Sequence, residues 1–208
     1  MNRIVGILAL QGGFSRHAHV LTSLGTHVQE VRTVADLAPC TALIIPGGES
    51  TVLTRHLMKS GTGIAEGTPW EPGPLYTAIQ NFALRYPVMG TCAGLIMLCM
   101  TSSDERVVPL QLLSVTVQRN GWGRQTESCI KNISLSLGSN PPVSFPATFI
   151  RAPRITAIGE GISVLASIVD TREIAEPVMV QHGGILGLTF HPELANVDPL
   201  IHRYFLSL

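Results

Sequence analysis

The sequence predicts an α/β fold, a mostly parallel sheet flanked by helices and extended by antiparallel strands in its second half. Three observations carry this. Short β-branched runs alternate with helical patterns through the first hundred residues, which is the arithmetic of βαβ units. The apolar run Ile4 to Leu10 reads as a buried first strand. From Leu112 to Phe190 the pattern changes to short strands separated by Asn-Gly, Pro-Pro and glycine-rich turns.

Taken in order, the elements are a strand over 3–10, a helix over about 14–24, strands at 27–31 and 41–45, and a helix over about 50–59. The glycine- and proline-rich stretch from Ser60 to Pro74 reads as a surface loop and a candidate insertion, before a helix from Leu75 to about Arg85. A strand from Val88 to Gly90 meets Cys92, and an apolar helix from Ala93 to Met100 follows. Only the tail from Asp198 to Leu208 looks helical again. No repeat or low-complexity tract interrupts this order, and 208 residues fit one domain, 1–208, of flavodoxin-like architecture.

Composition excludes several functions. Lys plus Arg and Asp plus Glu number 14 each, so there is no electrostatic footprint for nucleic acid or an anionic membrane. Charged residues make up 13% of the chain and the mean hydropathy is +0.32. An uncharged surface of this kind fits either a face covered by another subunit or a compact monomer rich in Ser and Thr. Ile4 to Leu10 runs straight into Gln11-Gly12-Gly13 without a cleavage pattern, so it reads as a buried strand rather than a signal sequence. No stretch reaches the ~18 uninterrupted apolar residues that span a bilayer, and a soluble protein is expected. Cys40, Cys92, Cys99 and Cys129 are scattered, with no CxxC pair, which argues against a zinc site or disulfide framework and for a reduced cytoplasmic setting.

Three motifs carry chemistry. Gly90-Thr91-Cys92-Ala93-Gly94 lies between a strand and a helix and has the G-x-nucleophile-x-G pattern of a nucleophile elbow. Its glycines leave room for a strained turn that exposes Cys92, and the following helix N-terminus favours a thiolate. The alternative is a buried structural cysteine beside small packing residues. His191-Pro192-Glu193 follows the apolar run Ile185 to Phe190. Pro192 disfavours the α region for His191, and in an extended chain His191 and Glu193 project to the same side. A carboxylate on one ring nitrogen would leave the other free to work on a thiol. A solvated turn is the alternative. Pro46-Gly47-Gly48-Glu49-Ser50-Thr51 places two glycine amides after a strand, as an oxyanion hole requires. A phosphate loop would need a lysine or a glycine spacing that is absent, and Ser50 reads first as a helix cap.

In this order and spacing the three motifs resemble class I glutamine amidotransferases, in which cysteine, histidine and glutamate form a triad. Within that class the chain more closely resembles the glutaminase subunit of pyridoxal 5′-phosphate synthase. The marks are Leu10-Gln11-Gly12, Ile44 to Thr51, Gly90 to Ile96, Arg119-Asn120 with Gly123-Arg124-Gln125, Phe149 to Pro153, and Phe190 to Leu194. The resemblance implies Cys92 as nucleophile, His191 as general base and acid, and Glu193 as its orienter. It implies glutamine contacts from Gly47, Gly48, Glu49, Arg119, Ile150 and Arg151, with an oxyanion held by the N–H groups of Gly48 and Ala93. It implies a barrel-shaped synthase subunit that receives the ammonia in a hetero-oligomer; Gln11 and Gly12, read as the end of the first strand, lie at the same sheet edge as the site and are the candidates for that interface. No cofactor or metal is implied. Without the resemblance, Arg119 and Arg151 would read as surface arginines and Asn120-Gly121 as a hairpin turn. The chain departs from the pattern at Arg16, Val52, Cys129 and the loop from Gly61 to Pro74. The departures at Arg16 and the loop bear on partner docking. Two other readings stand beside this one: the same chemistry serving another synthase, and a catalytically silent flavodoxin-like module whose elbow cysteine only oxidises.

Overall fold

The structure, a computed structural model, describes residues 3–59, 70–121, 128–138, 141–169, 175–194 and 199–208. Its first half is the expected βαβ run: β1 (Ile4–Leu8), α1 (Phe14–Ser23), β2 (His27–Val31), a short α2 (Val34–Leu37), β3 (Ala42–Ile45), α3 (Ser50–Leu57), α4 (Pro74–Ala83), β4 (Val88–Thr91) and α5 (Ala93–Leu98). The second half is mainly strands: β5 (Cys99–Ser102), β6 (Leu113–Gln118), β7 (Cys129–Leu135), β8 (Val143–Phe149), β9 (Arg154–Ile158), β10 (Ser163–Val169), β11 (Ala175–His182) and β12 (Ile185–Leu188). A 3₁₀ turn at Pro192–Leu194 and α6 (Leu200–Ser207) complete it.

One nine-stranded sheet runs β2-β1-β3-β4-β12-β11-β10-β7-β8. Its first five strands are mutually parallel, and the remaining pairings are antiparallel. A smaller sheet, β5-β6-β9, lies beside it. In β3 all four side chains are buried, and they alternate between two cores. Leu43 and Ile45 join the core under α3, α4 and α5, whereas Ala42 and Ile44 join Phe190 and Phe205 in the core under α1 and α6. That two-sided burial is why β3 is continuously apolar. It also brings the chain after β1, β3, β4 and β12 to one edge of the sheet, where the functional loops gather.

Several boundaries differ from the sequence expectation. The helix after Cys92 stops at Leu98 rather than Met100, and Cys99 begins β5. The cause is long-range: Leu110 and Leu112 donate their N–H groups to the carbonyls of Met97 and Leu98, at 2.6 and 2.9 Å, and so take over the helix end. Met58 leaves the preceding helix to bridge Pro72, and residues 60–69 of the expected loop lie outside the described residues. Ser50 is not a cap. The N-cap is Glu49, and the buried Ser50 hydroxyl makes no hydrogen bond among the described residues. Asn120-Gly121 forms a turn but no hairpin, because β6 pairs with β5 and β9 and not with the next strand. Gln11-Gly12 does not close β1, which ends at Leu8.

Candidate active site

Cys92 sits between β4 and α5 with φ 51 and ψ −106, a conformation that costs a non-glycine residue of order 1–3 kcal/mol. The turn is held by the bond from Cys92 N–H to the Leu188 carbonyl at 2.8 Å. It also depends on Gly94, where an added Cβ would lie 1.9 Å from the Ile45 carbonyl oxygen. The elbow geometry expected from Gly90 to Gly94 is therefore present. As the first residue of α5, Ala93 has an N–H with no partner inside the helix.

His191 and Glu193 meet as anticipated, with Nδ1 2.8 Å from Oε1, but the local geometry is different. The chain does not stay extended. Pro192–Leu194 is a 3₁₀ turn, and the bond from His191 N–H to the Thr148 carbonyl at 2.9 Å fixes its entry. Gly47 packs its backbone against this imidazole: an added Cβ would lie 2.4 Å from His191 Cε1 and 3.3 Å from Cys92 Cβ. Only glycine fits there. The Gly47 N–H donates to Thr91 Oγ1 at 3.0 Å, which leaves Gly48 as the turn residue whose amide is open to a ligand. Gly13 N–H donates to the Gly47 carbonyl at 3.0 Å. Gln11 clamps the next residue, with Nε2 donating to the Glu49 carbonyl at 3.1 Å and Oε1 accepting the Glu49 N–H at 3.2 Å.

Gly48, Glu49, Cys92, Ala93, Arg119, Ile150, Arg151 and His191 line one cavity of about 130 Å³, joined by Ser50, Ile96 and Asn120. Glu193 and Gly47 stand behind it. The Cys92 thiol faces the Ile150 carbonyl at 3.9 Å. Arg119 is ion-paired with Glu49 and Asp104. The Arg106 guanidinium, together with Arg119, holds the Asp104 carboxyl well below the usual carboxylate range. Gly123, Arg124 and Gln125 lie outside the described residues. Among the described residues no His, Cys, Asp or Glu cluster suits a metal ion, and no helix is long and apolar enough to cross a membrane.

Sequence reasoning missed the layer behind the pair. His17 on α1 and His202 on α6 are both fully buried, with His17 Nδ1 3.0 Å from His202 Nε2. His17 Nε2 lies 3.3 Å from Thr91 Oγ1 and 3.3 Å from Glu193 Oε2. The second contact sets the ring beside the carboxylate without a hydrogen bond, because Oε2 has no well-aligned partner among the described residues. A signal existed for His17: Phe14, His17, Ala18 and Leu21 share one stripe of α1, which puts the imidazole at a core position.

The ionisable groups follow from this packing. Burial alone would lower His191, but its hydrogen bonds to Cys92 and Glu193 and their negative charges outweigh it and push the imidazole up to about 10. Burial raises Glu193, and His17 and His191 overcome it to hold the carboxyl low. Burial depresses His17 and takes His202 down to about 3.

These shifts give a stability profile. Burial holds His17 and His202 below the value of an unfolded histidine, so the unfolded chain takes up more protons below pH 6.5 and stability falls there as pH drops. His191 works oppositely, its contribution present in full below 6.5 and lost as pH rises towards 10. Urea midpoints are therefore expected to peak near neutral pH. Between pH 6.5 and 5, before carboxylates protonate, each proton taken up on unfolding costs about 1.4 kcal/mol per pH unit. A midpoint unchanged across that interval would contradict the neutral buried pair.

With this arrangement in view, comparison with known proteins is decisive. The model of the SNO glutamine amidotransferase family matches residues 7–208. The chain belongs to that family. Among SNO-type relatives, a pyridoxal 5′-phosphate synthase subunit PdxT of Francisella philomiragia subsp. philomiragia is 40% identical over all of both chains. A protein of the same name from Thermus thermophilus is 40% identical over 100% of this chain and 98% of its own. A crystal structure of a glutamine amidotransferase superposes with a TM-score of 0.80 at 38% identity, covering 98% of this chain and 97% of that one. A structure of PurLQS from Thermotoga maritima, 16% identical over 100% of this chain and 99% of that one with a TM-score of 0.67, shares the fold.

Proposed function

We infer that the chain is the glutaminase subunit of a pyridoxal 5′-phosphate synthase and hydrolyses L-glutamine through Cys92, His191 and Glu193. The observation that carries this is a single cavity in which a strained cysteine faces an imidazole whose far nitrogen is held by a buried carboxylate. The Cys92 thiolate attacks the side-chain carbonyl of glutamine, and the oxyanion is held by the N–H groups of Gly48 and Ala93. As the tetrahedral species collapses, the C–N bond breaks and protonated His191 gives its proton to the departing ammonia. Water then attacks the γ-glutamyl thioester while His191 takes the water proton. The C–S bond breaks, and glutamate leaves.

Glu49, Arg119, Arg151, Gly48 and Ile150 hold the substrate, with carboxylate and guanidinium groups suited to the two charged ends of an amino acid, while Gly47 shapes the turn behind them. The ammonia passes to a barrel-type synthase subunit docked on the edge that carries Gln11 and Gly12. The reading extends to one class I domain over residues 1–208. It includes a cytoplasmic setting, with which four free cysteines agree.

The partner is expected to switch the enzyme on. Glycines at 47 and 48 allow more than one backbone conformation, and turning their shared peptide exchanges the bond from Gly13 N–H to the Gly47 carbonyl, so a docked subunit can select the orientation that presents Gly48 N–H. One oxyanion donor is worth on the order of 10²-fold or more. Glutamate release should rise by about that factor when the synthase subunit is added. Gln11→Ala, which removes the clamp on Glu49, should weaken this stimulation more than the small basal rate. Full activity of the isolated chain, unchanged by the synthase subunit, would rule out both the gating and the assigned partner.

A further inference from the structure

Building on that triad, we propose that His17 is a positioning residue for the reaction: held in one tautomer by His202, it braces both the carboxylate behind His191 and the hydroxyl that anchors the Gly47 loop. The contacts decide the tautomer. Glu193 only accepts, and a bare ring nitrogen 3.3 Å from its Oε2 would be repelled, so His17 Nε2 carries the proton. His17 Nδ1 is then an acceptor, and His202 Nε2–H donates to it across 3.0 Å. The Nε2–H points to Thr91 Oγ1 at 3.3 Å and lends its dipole to Glu193 Oε2, which has no other aligned donor among the described residues. Thr91 in turn accepts the Gly47 N–H at 3.0 Å.

One buried ring therefore touches the two halves of the machinery. Through Glu193 it bears on the orientation of His191, and through Thr91 it bears on the turn that carries Gly48. Neutrality matters here. A charged His17 would compete with His191 for the Glu193 carboxylate, and burial, with the nearby His191, works against that charge. The charged and titratable groups facing it are Glu193, His191 and His202. His17 does not line the substrate cavity, so its influence should fall on kcat rather than on glutamine binding.

The test measures glutamate release by the full chain with its synthase subunit. His17→Leu should lower kcat by about ten- to a hundred-fold, the range for stranding a buried polar group, with KM within about twofold. Glutamine places an amide nitrogen near the position of Nε2, and asparagine near that of Nδ1. His17→Gln should therefore recover activity to within about fivefold of wild type, while His17→Asn should behave like His17→Leu; this pair carries the test even if the leucine variant does not fold. In a Glu193→Gln background, His17→Leu should cost less than it does in the wild type, since only its hold on Thr91 is then left to lose. Equal activity of the Gln and Asn variants, or an undiminished leucine loss in that background, overturns the proposal. Long-range ¹H–¹⁵N spectra of the wild-type chain need no turnover: they should report a neutral Nε2–H tautomer at His17, and an Nδ1–H tautomer overturns it. A wild-type chain that releases no glutamate overturns the glutaminase reading instead, and the tautomer measurement still decides this one.

Discussion

Cys92→Ala should reduce glutamate release to background, a loss on the order of 10⁴-fold or more, because deleting the nucleophile removes the covalent route altogether. The same change at Cys40, Cys99 or Cys129 should leave activity in place. The contrast is physical. Cys99 lies only seven residues further on, but it is buried, it donates to the Ile96 carbonyl at 3.1 Å, and burial pushes its thiol up to about 12. Cys40 is raised to about 11 by burial and by Asp36, and its thiol is directed to the Asp36 carbonyl at 3.3 Å. Cys92 alone of these three stands on a strained turn facing a histidine in a cavity. A glutamine analogue that alkylates thiols should label Cys92, as read by peptide mass spectrometry. Preferential labelling of Cys99 or Cys129 would remove the elbow assignment.

The parts of the fold legible in the sequence are those set by local pattern. The apolar runs of β1, β3 and β4 announce strands buried on both faces, and the glycines around Cys92 announce a turn that other residues could not make. What escaped was fixed by distant chain. The end of α5 is decided by Leu110 and Leu112 arriving at its last carbonyls, which no propensity within 93–100 records. Arg119 is held by Asp104 as well as Glu49, and only the fold brings the former close. The His17–His202 contact joins positions 185 residues apart, so periodicity could mark His17 as a core residue without naming its partner. At His191 the inference reached the right contact through a wrong intermediate: Pro192 starts a tight turn, and the turn, not an extended strand, brings Glu193 round to Nδ1.

That contact sets the second large effect expected. His191→Asn should remove nearly all activity, about 10³-fold or more, since among the described groups lining the cavity the other candidate acid or base, Glu49, is ion-paired with Arg119. Glu193→Gln should leave a measurable remainder, because the amide oxygen can still accept the Nδ1 proton while the charge is lost. The charge has its own signature. Glu193 is one of the groups that raise His191 to about 10, so removing it lowers the imidazole pKa and moves the alkaline limb of the kcat profile to lower pH. The double variant should be no worse than His191→Asn alone, since an orienter without its base has nothing to orient. Steady-state rates across pH 6 to 10 for the four proteins measure all of this. Losses that add, or an alkaline limb that stays put in Glu193→Gln, would show that His191 and Glu193 do not act as one unit.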